Sequence, residues 1–89
     1  MLKQRIIIEN KVGLHARPAS LLVSTANSFK SSVSVKKEGT IVNAKSILGI
    51  LSLGAEQGTE LEIIVDGEDE ENAIQAISNL IQSKFGEGE

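Results

Sequence analysis

The sequence predicts an open-faced α+β sandwich: a four-stranded antiparallel sheet with three helices on one face, in the order β-α-β-β-α-β-α. The prediction rests on three observations. Four stretches alternate apolar and polar residues with period two, and three others repeat apolar residues in steps of three and four. The two kinds interleave along the chain. Each strand-like stretch also keeps one polar face, so a helical layer is expected on one side of the sheet only.

The first strand lies in LKQRIIIE, where Leu2, Ile6 and Ile8 alternate with Lys3, Arg5 and Glu9. From Ala16 the apolar positions become Ala19, Leu22, Val23, Ala26 and Phe29, a single stripe on a helix. Pro18 suits the first turn of that helix, where its missing N–H would have had no intrahelical partner. That places His15 at or just before the cap. Arg17 precedes the proline and is pushed away from helical dihedrals, so an irregular first turn is expected. In SSVSVKK, Val33 and Val35 face one way and Ser32, Ser34 and Lys36 the other, and EGT turns the chain into a short strand, IVN. A brief helix follows in KSILGILSLG, with Ile47, Ile50 and Leu51 on its apolar face, Ser46 capping its start and Gly54 ending it. The fourth strand sets Leu61, Ile63 and Val65 against Glu60, Glu62, Ile64 and Asp66. The last helix stacks Ala73, Ile74, Ile77, Leu80 and Ile81. The acidic run from Glu68 to Glu71 matches its positive end, and Lys84 falls in its last turn. The crossover from the first strand to the second leaves a slot for the fourth between them.

Composition removes several functional classes. A chain of 89 residues holds one domain, read here as 1–89 with residues 86–89 as a frayed tail. A net charge of −3 and two phenylalanines without tyrosine or tryptophan give neither a basic face nor a stacking platform, so nucleic acid is not expected as a partner. The absence of cysteine rules out disulfides and thiolate sites and fits a cytoplasmic location. One histidine cannot make a zinc site, and the acids of DGEDEE lack calcium-loop spacing, so neither metal nor cofactor is expected. The apolar run Ile6–Ile8 is far short of a signal peptide or of a membrane span of about 20 residues. GILSLG lacks the Lys-Ser or Lys-Thr of a phosphate loop, and no G-x-G-x-x-G or G-x-S-x-G occurs.

The chemistry gathers in GLHARPAS, which holds the only histidine and the only proline of the chain. Backbone N–H groups of a first helical turn lack intrahelical partners, and the helix dipole places about half a positive charge there. The neutral imidazole of His15 has a lone pair free to attack. A phosphoryl group on that nitrogen would bring its negative charge to the orphan N–H groups and the Arg17 guanidinium. The spacing is equally met by a histidine that only caps a helix, beside an arginine in a surface ion pair. Ser46, likewise, needs no role beyond capping on the residues alone.

GLHARPAS, followed about 28 residues later by NAKSILGILSLG, resembles the HPr family of phosphocarriers from the phosphoenolpyruvate-dependent sugar phosphotransferase system, with similarity running from Ile6 to Lys84. The resemblance implies the open-faced sandwich. It also implies that His15 accepts a phosphoryl group on Nδ1 from phosphorylated enzyme I, itself charged by phosphoenolpyruvate, and passes it to IIA domains of sugar permeases. Arg17 and the amides of Ala16 and Arg17 would hold the phosphate, in a carrier rather than an enzyme. SILGILSLG is similar to members from Gram-positive-type bacteria, which implies phosphorylation of Ser46 by HPr kinase/phosphorylase and a link to catabolite control through a CcpA-type regulator. The methionines usual in this helix are here Leu48 and Leu51. Leu21 and Leu48 lie off the core stripes of their helices, and with Ser20, Ser24, Ile47 and Leu51 they form the expected docking patch. Two alternatives stand beside the sugar carrier: a carrier in a nitrogen-type regulatory branch, and a binding module without phosphate chemistry.

Overall fold

The alternating stretches form strands and the three-and-four stretches form helices in a computed structural model that describes residues 1–86. In order these are β1 (Leu2–Ile7), α1 (Ala16–Asn27), β2 (Ser32–Lys37), β3 (Thr40–Asn43), α2 (Ile47–Ser52), β4 (Glu60–Asp66) and α3 (Glu70–Gln82), then a single 3₁₀ turn, Lys84–Gly86. The strand order is β1-β4-β2-β3 with every neighbour antiparallel, so β4 fills the slot left by the crossover. Only Gly86 of the expected frayed tail falls within the described residues, where it closes the 3₁₀ turn; residues 87–89 lie outside them.

One face of the sheet carries Ile6, Val33, Val35, Leu61, Ile63 and Val65 into a core completed by Leu22 and Ala26 of α1, Ile50 of α2 and Ala73, Ile77 and Ile81 of α3. The other face is open, mostly polar, and carries Ile7, Ile41 and Ile64 among its charged and hydroxyl side chains. Across it Arg5, Glu62 and Lys36 stand in register, a positive-negative-positive row of the kind that supports strand pairing. The turn between β2 and β3 is the two residues Glu38 and Gly39, both at positive φ, as a tight antiparallel hairpin requires.

Three local expectations are corrected. On α2, Ile50 is buried together with Leu53 just beyond the helix, whereas Ile47 and Leu51 are 36% and 39% exposed. A helix of six residues makes fewer than two turns, so a single side chain reaches the core and its flanking neighbours stay at the surface. Lys84 is not in the last turn of α3. The helix stops at Gln82, and Lys84 and Phe85 take φ of 58° and 56°, which reverses the chain and buries the Phe85 ring. Burying a phenyl ring is worth about 1.5–3 kcal/mol, a sum comparable with the cost of left-handed backbone at about 1–2 kcal/mol per residue. Finally, α1 runs unbroken from Ala16, so Arg17 lies within helix despite the proline that follows, and Ala19 N–H closes the first turn on His15 O at 2.9 Å.

The acidic start of α3 also does something other than cap. Asp69 is the N-cap residue but makes no side-chain bond to its own helix. Its carboxylate accepts from Lys30 N–H and Ser31 N–H, both at 2.9 Å, and from the buried Ser31 hydroxyl. These bonds, led by the hydroxyl, hold the Asp69 carboxyl down to about 2. Glu70 turns back to accept from Gly67 N–H at 3.1 Å.

Candidate functional site

The loop between β1 and α1 sets the site. Gly13 has a φ of 60°, and a Cβ there would lie 2.4 Å from Ala55 O and 2.7 Å from Glu56 Cα. Only glycine fits, so the chain can press against the segment before β4. Leu14 then enters the core and donates its N–H to Ala55 O at 2.9 Å. The next residue, His15, is thrown outward at the N-cap of α1 with extended backbone (φ −76°, ψ −176°), its side chain exposed and making no capping bond.

Helix geometry leaves the N–H groups of Ala16 and Arg17 without intrahelical acceptors, Pro18 has none to offer, and α1 has no acid in its first turn. No acid of the helix itself therefore offsets the positive potential of its first turn beside the imidazole. Arg17 is exposed and takes part in no ion pair among the described residues. An anion held on His15 would meet backbone donors on one side and a guanidinium two residues along the chain. An open hollow of about 400 Å³ beside the imidazole is lined by Leu14, Ala16, Leu51, Gly54, Ala55 and Glu56. A larger polar groove of about 680 Å³ adjoins it through Gly54 and Glu56 and runs along Glu38, Gln57 and Glu60; its Lys37 ammonium already donates to Leu53 O at 2.9 Å. Among the described residues no cluster of His, Cys, Asp and Glu could hold a metal ion, and no helix is long and apolar enough to cross a membrane.

The residues expected to dock a partner fall on two helices that pack against each other. Arg17, Ser20, Leu21 and Ser24 are exposed along α1 at helical spacing. On α2, Ile47, Leu48 and Leu51 are exposed, Leu48 at 77%, and Leu51 reaches the hollow beside His15. Ser46 caps α2, its Oγ accepting from Gly49 N–H at 3.2 Å and its carbonyl from Ile50 N–H at 3.1 Å. It stands about 7–8 Å along the helix axis from Leu51. The reading of the sequence missed three residues. Val12 is an exposed apolar side chain in the histidine loop, Leu14 is a core anchor next to it, and Asn10 is fully buried. Asn10 left a signal: it follows Ile6 and Ile8 at the same inward parity, a polar residue where the alternation calls for an apolar one.

The open-faced sandwich presents an exposed imidazole at a helix start, an arrangement that can offer a phosphoryl acceptor to a partner. The family model PTS-HPr, described as the PTS HPr component phosphorylation site, matches residues 2–83, and the chain belongs to this family of phosphocarriers. It is 51% identical over 89 residues to the phosphocarrier protein HPr of Neisseria meningitidis, covering all of both chains. It is 44% identical over 84 residues to the HPr-like protein Crh of Bacillus subtilis, covering 94% of this chain and 99% of that one. Among solved structures, HPr from Thermoanaerobacter tengcongensis superposes with a TM-score of 0.96 at 54% identity, covering 98% of each chain.

Proposed function

We propose that this chain carries a phosphoryl group on the Nδ1 nitrogen of His15, taken from phosphorylated enzyme I and handed to IIA domains of sugar permeases in the cytoplasm. The observation that carries the reading is the placement of His15: an exposed imidazole at the start of α1, beside the amides of Ala16 and Arg17, which have no intrahelical acceptors, and the Arg17 guanidinium, which is in no ion pair among the described residues. The imidazole lone pair attacks phosphorus as the bond to the donor breaks, and the amides and guanidinium receive the charge on the phosphoryl oxygens. Transfer of this kind needs in-line placement and charge neutralisation more than covalent help, so the carrier supplies an acceptor and donors while its partner supplies the rest. The docking surface is the strip Ser20, Leu21, Ser24, Ile47, Leu48 and Leu51, in a single domain that spans the chain.

Ser46 is proposed as a regulatory phosphorylation site, written by an HPr kinase/phosphorylase and read by a CcpA-type regulator. The kinship with Crh, a protein described as a catabolite repression HPr, supports that assignment. A phosphate there would add about 1.5–2 negative charges beside the exposed leucines of α2.

The test is to supply phosphoenolpyruvate and enzyme I and to look for acid-labile phosphate on the chain. The wild type should be labelled and His15→Ala should not. Labelling that survives the substitution would overturn the site assignment, and no labelling of the wild type would favour the binding module without phosphate chemistry.

A further inference from the structure

Asn10 is buried with no exposed surface, in the inward position that follows Ile6 and Ile8. An amide is costly to bury unless it is hydrogen-bonded, so its partners show what the burial achieves. Asn10 Nδ2 donates to Gly13 O at 2.9 Å, and Gly13 N–H donates to Asn10 O at 3.2 Å. The turn Asn10–Gly13 is therefore clasped from both ends, with Lys11 and Val12 outside it. The Gly13–Leu14 peptide is gripped twice. Its carbonyl is held by the Asn10 side chain and its N–H by Ala55 O at 2.9 Å, so both polar groups of the peptide are anchored. This is the last full peptide before the one that enters His15, whose own side chain makes no capping bond that would hold it. The position of the imidazole is thus inherited from the backbone.

We infer that Asn10 is a positioning residue for phosphoryl transfer, acting through the Gly13–Leu14 peptide to aim His15; the inference rests on His15 being the acceptor. Two variants test it, Asn10→Ala and the near-isosteric Asn10→Leu. Both remove the donor to Gly13 O, and Leu refills the buried space with a side chain suited to a core. With phosphorylated enzyme I as donor, both should slow turnover roughly 10- to 100-fold, the range of a misplaced reacting group. The KM for each should stay near wild type, because Leu21, Ile47, Leu48 and Leu51 are untouched. Leu14 N–H should exchange faster in both. Asp69→Asn is the control: it breaks a latch between α3 and the segment before β2, and should lower the melting temperature with turnover unchanged. Wild-type turnover in Asn10→Leu would overturn the inference and leave Asn10 a purely structural residue. If Asn10→Ala is unfolded at the assay temperature, Asn10→Leu decides alone. Retained labelling of His15→Ala would instead fault the site itself, a result separate from the Asn10 outcome.

Discussion

Leu48 and Ile50 lie two residues apart on α2 and face opposite ways, so the same truncation should separate docking from folding. Leu48 leaves 77% of its surface in water and Ile50 leaves none. Fully burying such a side chain is worth about 1.5–3 kcal/mol, so a partner that covers the exposed three quarters of Leu48 gains about 1–2 kcal/mol. Leu48→Ala forfeits most of that gain. The KM for phosphorylated enzyme I should rise roughly 3- to 20-fold, with kcat and melting temperature unchanged. Leu48→Asp should weaken docking further, since a carboxylate would have to be stripped of water. Ile50→Ala removes a core side chain and should cost about 2–5 kcal/mol, which for a domain of this size lowers the melting temperature by about 4–8 °C per kcal/mol. Assayed well below its own midpoint, its KM should match wild type. Steady-state kinetics of phosphoenolpyruvate-driven phosphorylation, paired with thermal melts of each variant, reads both quantities. An unchanged KM in Leu48→Ala, or a melting loss equal to that of Ile50→Ala, would refute the division of α2 into a docking side and a core side.

Three further outcomes are expected. Ser46→Ala removes the oxygen that accepts from Gly49 N–H and should cost about 0.5–2 kcal/mol, toward the lower end for a bond of 3.2 Å. Ser46→Asp keeps an acceptor, adds an anion at a helix start worth about 0.3–1 kcal/mol, and should melt at or above wild type while slowing phosphorylation of His15. Equal transfer rates in all three proteins would show that Ser46 only caps. Arg17→Ala should still accept phosphate but slow both transfers, and Arg17→Lys should recover part of the rate by keeping charge without the guanidinium fork. Stopped-time labelling in each direction measures this, and full activity in Arg17→Ala would mean that the backbone amides suffice. Asp69 is held near 2 in the fold against an ordinary value of 3.8, so its latch is fully present above 3.8 and is lost as the pH falls toward 2. The gap in melting temperature between wild type and Asp69→Asn should close over that interval, and a gap that stays constant would show that the carboxylate charge contributes nothing.

The sequence by itself determined the features that depend on a residue and its near neighbours. Alternation named the strands, Pro18 located the start of α1 and so placed His15 at its cap, and Ser46 and Gly54 bracketed α2. Each follows from backbone geometry within a few residues, and the positions of His15, the proposed acceptor, and of Arg17 beside it were legible for that reason. What faces where was decided by the tertiary structure. Ile47 and Leu51 share a helical face with Ile50 by spacing, yet only the position of α2 over the sheet tells which of them reaches the core. Asp69 reads as a helix cap, but its oxygens go to Lys30 and Ser31, which the sheet order brings beside it. Gly13 needs its missing Cβ because Ala55 and Glu56 lie against it, more than 40 residues along the chain. The direction of the core and the contacts between distant segments arise only when β4 closes between β1 and β2. The crossover rule leaves the slot for β4, but no window of neighbouring residues encodes the contacts that its closure makes.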